Sequence, residues 1–72
     1  MSKLNPGEVL VKGTVTESLP NTTFRIERED ERDMIAYLSG KMRRFRIKVL
    51  IGDTVEVVTD ASGEKGRIIK RL

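Results

Sequence analysis

Hydrophobic and polar residues alternate in three stretches of the chain, and a period of two is typical of a half-buried β-strand. The predicted strands cover residues 8–17, 22–28, 33–38, 54–59 and 66–71, and the alternation runs through the first three. In the second stretch Phe24 and Ile26 fall on one face, while Arg25 and Glu27 fall on the other. Turn-forming residues separate the stretches, as at Asn21, which follows a proline. The pattern therefore predicts an all-β fold of five short strands, with Phe24 in its core.

The period of two is lost after the third strand. Ser39 has the side chain of a helix N-cap, and the residues after it predict a short helix or helical turn. A helix between strands three and four is the plan of the five-stranded Greek-key barrel of the oligonucleotide-binding (OB) type. In that plan we expect strands one to three to form a meander and strand five to close near strand one. An SH3-like barrel, which also has five short strands, usually lacks this helix and is the second choice.

Chain length and the placement of glycine add detail to this plan. A chain of 72 residues forms one small domain, and we expect residues 8–72 to be that domain. Residues 1–7 are mostly polar and contain Pro6 and Gly7, which predicts a flexible arm that ends in a turn. Gly13 interrupts the inner face of strand one, where an interior glycine often marks a bend or a bulge. We expect a monomer in solution.

The composition excludes several kinds of chemistry. The absence of cysteine excludes disulfides and thiolate metal sites, and the absence of histidine removes the commonest general base and metal ligand. No apolar run approaches the roughly 18 residues that span a bilayer. Asp30, Glu31 and Asp33 lack a second set of ligands, so we expect a solvated turn there. The sequence thus predicts a protein that is not an enzyme, holds no cofactor and no metal, and binds no membrane.

Charge is unevenly distributed along the chain, although the net charge is only +3. Residues 40–49 carry five basic side chains and no acids, and residues 65–72 carry four more and no acids. Residues 27–33 carry five acids against two arginines. This segregation predicts an acidic corner and a basic face that attracts polyanions, the alternative being solvated surface with incidental clustering.

Several short motifs stand in an order and at a spacing that are specific to one known family. They are Gly13-Thr14-Val15, Glu17, Leu19-Pro20-Asn21, Phe24-Arg25, Ala36, Ser39-Gly40-Lys41-Met42-Arg43, Ile47, Gly52-Asp53 and Gly66-Arg67-Ile68. With these motifs the chain resembles bacterial translation initiation factor 1 over residues 13–71. It departs from the family pattern at the charged turn 29–32, in the shorter loop 60–65, at Tyr37, where histidine is common, and at Phe45, where the aromatic has moved by one position.

The resemblance implies both a fold and a function. Members of the family are S1-like OB barrels that bind ribosomal RNA in the decoding region of the small ribosomal subunit, at the A site. They assist the other initiation factors and the selection of initiator tRNA, they contact a neighbouring ribosomal protein, and they are not enzymes. The implied location is the bacterial cytoplasm, with the plastid stroma as the alternative.

The candidate RNA-binding residues are selected by the basic clusters and by the family motifs. They are Arg25, Tyr37, Lys41, Met42, Arg43, Arg44, Arg46, Lys48, Arg67, Lys70 and Arg71. Residues 41–48 are the best candidates, because arginine forks and lysine charges bind phosphates and a loop can enter an RNA groove. Met42 either packs inward or contacts RNA, and Tyr37 either stacks on a base or is ordinary surface. The sequence leaves both choices open.

The second basic cluster lies on strand five, where simple alternation places Arg67 and Arg71 on one face and Lys70 on the other. Because the two clusters lie on different elements, we expect two separate contacts with RNA. The chain has only three aromatic residues, so it lacks the stacking platforms of a sequence-tolerant single-strand binder. Two alternatives stay open, a general RNA chaperone on the same barrel and an SH3-type module that binds proteins.

Overall fold

Five strands and one short helix form in the order that the sequence predicts. The structure is a computed structural model that describes residues 4–60 and 63–72. Its elements are β1 (Val9–Leu19), β2 (Thr23–Arg28), β3 (Asp33–Leu38), α1 (Gly40–Arg44), β4 (Thr54–Thr59) and β5 (Lys65–Arg71). The element bounds lie within one residue of the prediction, except that β1 runs two residues further than expected. The all-β prediction and the helix between β3 and β4 are confirmed.

The strands close into a barrel in the order β1-β2-β3-β5-β4. All pairings are antiparallel except that of β3 with β5, which is parallel. The expectation that strand five closes next to strand one was wrong, because β4 pairs with β1 and β5 fills the gap between β4 and β3. The connection that contains α1 carries the chain from β3 across the end of the barrel to β4, which lies beside β1. This closed five-stranded plan is that of the OB barrel and not of the SH3-like alternative.

Gly13 lies where β1 contacts both of its neighbours. It pairs with Arg28 of β2 and with Val55 of β4. A Cβ atom at this position would lie 2.5 Å from Cγ2 of Ile26 and 2.7 Å from the carbonyl oxygen of Glu27. The bulge in β1 lies a little further along, where the register with β2 shifts between Val15 and Glu17. Gly13 therefore permits a close approach of strands, and of the bend or bulge expected at this residue, the bulge lies further along the strand.

Every element and one loop contribute to a single hydrophobic core. Its buried members are Val15, Phe24, Ile26, Met34, Ala36, Leu38, Met42, Val49, Val55, Val57 and Ile68. The strand residues come from alternate positions, as the sequence pattern predicts, and Phe24 is buried as expected. Met42 and Val49 come from α1 and from the connection after it, so this connection covers the end of the barrel.

The turn between β2 and β3 is closed by charged side chains. Arg28 N donates to Arg32 O at 2.9 Å, and Oδ2 of Asp30 accepts from Nε of Arg32 at 3.0 Å. Partial desolvation raises the pKa of Asp30, but the hydrogen bonds of Arg32 and the charges of Arg28 and Arg32 outweigh it and lower the pKa. The sequence predicts a solvated turn here, and the structure adds ion pairs of Asp30 with Arg28 and Arg32. Residues 4–60 and 63–72 contain no cluster of acids that could hold a metal ion.

A second turn precedes β1, where Glu8 N donates to Asn5 O at 3.0 Å and Asn5 N donates to the carboxylate of Glu8 at 2.8 Å. Residues 1–3 of the expected arm, and residues 61–62 of the predicted loop, lie outside the described residues. The flexible arm stays a prediction. Within the part of the chain that the structure describes, no helix has the length and apolar character needed to cross a membrane.

Phe24→Ala should lower the free energy of unfolding by about 3–5 kcal/mol, because it empties a buried ring site in a small core. The matched control is Phe45→Ala, since the Phe45 ring is 62% exposed. The control should change stability by less than about 0.5 kcal/mol. Urea unfolding of both variants measures the difference. Equal effects of the two substitutions would contradict the placement of Phe24.

Candidate nucleic-acid interface

The helix that follows β3 begins at a buried serine cap. Oγ of Ser39 accepts from Met42 N at 3.2 Å, which satisfies one of the free amides of the first turn. Ser39 N donates to Ile68 O of β5 at 3.0 Å. The predicted N-cap is thus confirmed, and it also ties the start of α1 to the barrel wall.

The same helix ends in a Schellman motif, which is the usual left-handed helix end. Arg46 N donates to Arg43 O at 3.1 Å, and Ile47 N donates to Met42 O at 3.0 Å. Arg46 has a φ of 55°, a conformation that glycine usually supplies at this position. The chain therefore accepts backbone strain at Arg46 and gains a cationic side chain at the end of the helix.

The five basic side chains of residues 41–48 are all exposed. They are Lys41, Arg43, Arg44, Arg46 and Lys48. We call them the basic cluster. No acidic residue interrupts the cluster, and Cζ of Arg44 lies 5.9 Å from the centroid of the Phe45 ring. The cluster thus presents guanidinium and ammonium groups to solvent from α1 and the segment that follows it.

The side chain of Met42 points into the barrel, away from those of its basic neighbours. Its side chain is only 1% exposed and packs in the core. The structure therefore decides the choice that the sequence left open, and it corrects the inclusion of Met42 among the candidate RNA contacts. A helix of five residues has about one inward position per turn, and Met42 occupies it.

An apolar groove lies between α1, the segment after it and the end of the barrel. Its apolar lining comes from Phe24, Leu38, Met42, Ile47, Val49 and Leu50. Arg43, Arg46 and Lys48 also line it, so that three cations border an apolar surface. The sequence did not predict Ile47 and Leu50 as residues of the candidate site. Their signal was a group of four apolar residues within 47–51, interrupted by Lys48, which belongs to no strand.

Tyr37 and Arg67 form a second candidate surface on the outside of the barrel. They are direct partners in the parallel pairing of β3 with β5, and Tyr37 is 48% exposed. An exposed ring beside a guanidinium is a suitable surface for a base and its phosphate. Arg25 differs from these two, because Nε of Arg25 donates to Oε1 of Glu17 at 3.0 Å. The charge of Arg25 is therefore partly neutralised by the carboxylate of Glu17 on the neighbouring strand β1.

The basic end of β5 is arranged differently from the prediction. The register between β4 and β5 skips Ile69, so that Lys70 lies opposite Glu56 and Arg71 lies opposite Val55. Residues directly opposite share a face of the sheet, and Val55 is fully buried. The expectation that Arg67 and Arg71 share a face was therefore wrong, since one bulge residue reverses the alternation. Arg71 instead donates from Nη1 to the carbonyl oxygen of Lys48 at 3.0 Å.

The chain matches the model of a family described as translation initiation factor 1A / IF-1 over residues 2–72. One relative is the translation initiation factor IF-1 of Rickettsia akari (strain Hartford), which is 48% identical over 60 residues. That alignment covers 82% of this chain and 84% of the relative.

Two solved structures share the barrel. The solution structure of translation initiation factor IF-1 from the Wolbachia endosymbiont strain TRS of Brugia malayi superposes with a TM-score of 0.75 at 40% identity, over 93% of this chain and 80% of the other. The crystal structure of YjeQ from Thermotoga maritima superposes with a TM-score of 0.73 at 28% identity, over 89% of this chain and 23% of the other. The second likeness is to one part of a larger protein.

Arg46→Gly should raise the free energy of unfolding by about 0.5–1 kcal/mol. Relief of a left-handed conformation gains about 1–2 kcal/mol, and the greater freedom of unfolded glycine costs about 0.5–1 kcal/mol. The control is Asn21→Gly, because Asn21 has a φ of 63° but asparagine tolerates that region. The control should gain less than about 0.5 kcal/mol. Thermal unfolding measures both variants, and a loss of stability in Arg46→Gly would show that the conformation is not strained.

Proposed function

The chain belongs to the family of translation initiation factor 1A and IF-1, and from this premise we propose that it binds ribosomal RNA of the small subunit at the decoding (A) site. In this role it assists the other initiation factors and the selection of initiator tRNA. Its partners are then the ribosomal RNA, a neighbouring ribosomal protein and the other factors on the subunit. The activity is binding and needs no catalytic group or cofactor, and the expected location is the cytoplasm of a bacterium or the plastid stroma.

The exposed basic cluster is the observation that carries this proposal. Phosphates bound by lysine and arginine release condensed counterions, and this release supplies much of the affinity of proteins for RNA. The cluster is held by a capped helix turn whose two ends are hydrogen-bonded. Because its backbone is already ordered, binding pays less conformational entropy than it would for a disordered basic tail.

The rest of the surface favours folded RNA over a plain single strand. Tyr37 and Phe45 are the exposed aromatic residues, and they lie on different elements. A sequence-tolerant single-strand binder stacks successive bases on neighbouring rings, and this barrel has no such row among its described residues. Recognition of RNA shape through phosphates, with a base held at the apolar groove or at Tyr37, suits these side chains better.

A general RNA chaperone on the same barrel is the second candidate. Its basic cluster would bind short single-stranded RNA about as well as it binds the ribosome. Binding to purified small subunits, compared with binding to short unstructured RNA of equal concentration, separates the two. The initiation-factor proposal requires strong subunit binding and weak binding to the short RNA, and about equal binding to both would favour the chaperone.

Charge reversal at Arg43 and Arg44 should weaken subunit binding while the barrel stays folded, because both side chains are exposed and lie in the basic cluster. The matched control reverses Lys12 and Lys65, which are also exposed but lie outside the cluster. Subunit affinity and thermal melting are measured for both double variants. An equal loss of affinity in the control would attribute binding to net charge and not to the location of the cluster.

The affinity for the subunit should also fall steeply with salt. If about five phosphates are contacted, the slope of log affinity against log salt should be about −3 to −5. Replacing Lys41, Arg43 and Arg44 with alanine should flatten the slope by about two to three units. Arg25→Ala should change it by less than about one unit, since Arg25 is already paired with Glu17. A parental slope in the triple variant would mean that these residues are ordinary solvated surface.

A further inference from the structure

The segment of residues 45–50 carries two members of the basic cluster but belongs to no regular element. It is held by a few contacts, to α1, to the core and to the turn before β4. Ile47 N donates to Met42 O, the Val49 side chain is buried, and Leu50 N donates to Oδ2 of Asp53 at 2.8 Å. Between these points Lys48 is exposed, and its carbonyl oxygen accepts the hydrogen bond from Arg71.

The bulge in β5 is what brings Arg71 to this segment. In an unbroken strand, residues 67, 69 and 71 would share the outer face. Because the register skips Ile69, Arg71 lies opposite Val55 on the row that faces the interior. The barrel ends there, and residues 45–50 cover that end through the buried side chain of Val49. Arg71 therefore points to the carbonyl of Lys48 and away from the face that carries Arg67.

We propose that Arg71 is a positioning residue for RNA binding, which holds residues 45–50 in place and does not itself grip a phosphate. This inference rests on the proposed function, since it concerns the segment that carries Arg46 and Lys48. The Nη1 group of Arg71 fixes the Lys48 carbonyl, and thereby fixes the direction in which the side chains on either side leave the backbone. Without it the same charges are present but must be ordered when RNA binds, which lowers the affinity.

Salt dependence separates positioning from direct contact. A residue that contacts a phosphate contributes about one unit to the salt slope, whereas a positioning residue contributes to affinity without changing the number of phosphates bound. Arg71→Met removes the donor and keeps much of the apolar length. We expect it to weaken subunit binding about three- to tenfold, the factor supplied by one such hydrogen bond, at an unchanged slope.

Amide hydrogen exchange in the free protein supplies a readout that needs no ribosome. The amides of Ile47 and Leu50 are hydrogen-bonded and lie on either side of Lys48. In Arg71→Met both should exchange about three- to tenfold faster, while the amides of β2 and β3 and the melting temperature stay at the parental values.

Lys70→Met is the matched control, because Lys70 is the exposed neighbour of Arg71, has the same charge and lies opposite Glu56 on the outer face. It should leave the exchange of the Ile47 and Leu50 amides unchanged.

Three outcomes would overturn the proposal. A salt slope that becomes shallower by about one unit in Arg71→Met would make Arg71 a phosphate contact. Unchanged exchange at Ile47 and Leu50, or equally faster exchange throughout the barrel, would overturn it too. If the parent protein does not bind subunits, the proposed function fails, while the exchange measurement still decides whether Arg71 holds the segment.

Discussion

The close approach of β1 to two neighbouring strands is the constraint on which the rest of this small barrel depends. At Gly13 the backbone pairs with both Arg28 and Val55, and there is no room for a Cβ atom beside Ile26. Because β1 pairs with β4 over residues 9–14 and with β2 over residues 13–19, five short strands close on themselves into a barrel. The closed wall then buries a single core that a chain of 72 residues can fill.

Closure also decides where the charges lie. The chain must pass from the end of β3 to the start of β4, and it covers the open end of the barrel with Met42 and Val49 as it does so. The residues between Met42 and Val49 do not fit in the barrel interior, and most of them are cationic. The acidic turn lies at the other end of β3, roughly 17 Å away for a strand of six residues. The barrel is therefore basic at one end and acidic at the other, with the apolar groove at the basic end.

Local patterns were sufficient to predict the strands, the helix cap and the buried face of β2. The pairing of strands that are distant in the sequence was not predictable in the same way. No local pattern near β5 indicates whether this strand lies beside β1 or beside β3. The face of Arg71 was missed for a related reason, because a bulge at Ile69 leaves no strong local signal and reverses every later residue. The direction of the Met42 side chain could not be predicted from a basic stretch, since it depends on how α1 packs on the barrel. The RNA contacts themselves stay predictions.

Two residues with a left-handed backbone connect the fold to the groove. Thr22 has a φ of 53° and Arg46 a φ of 55°, although a β-branched side chain and a long cationic one both disfavour that region. These residues come from different turns, yet both line the same apolar groove. Thr22 O also accepts from Leu38 N at 3.2 Å, so its turn is held against β3 just before α1 begins. Strained backbone persists where the surrounding structure enforces it, and such sites are frequently those that bind. The shape of the groove thus depends on two conformations that the barrel imposes, and the same turn that strains Arg46 presents its charge at the rim.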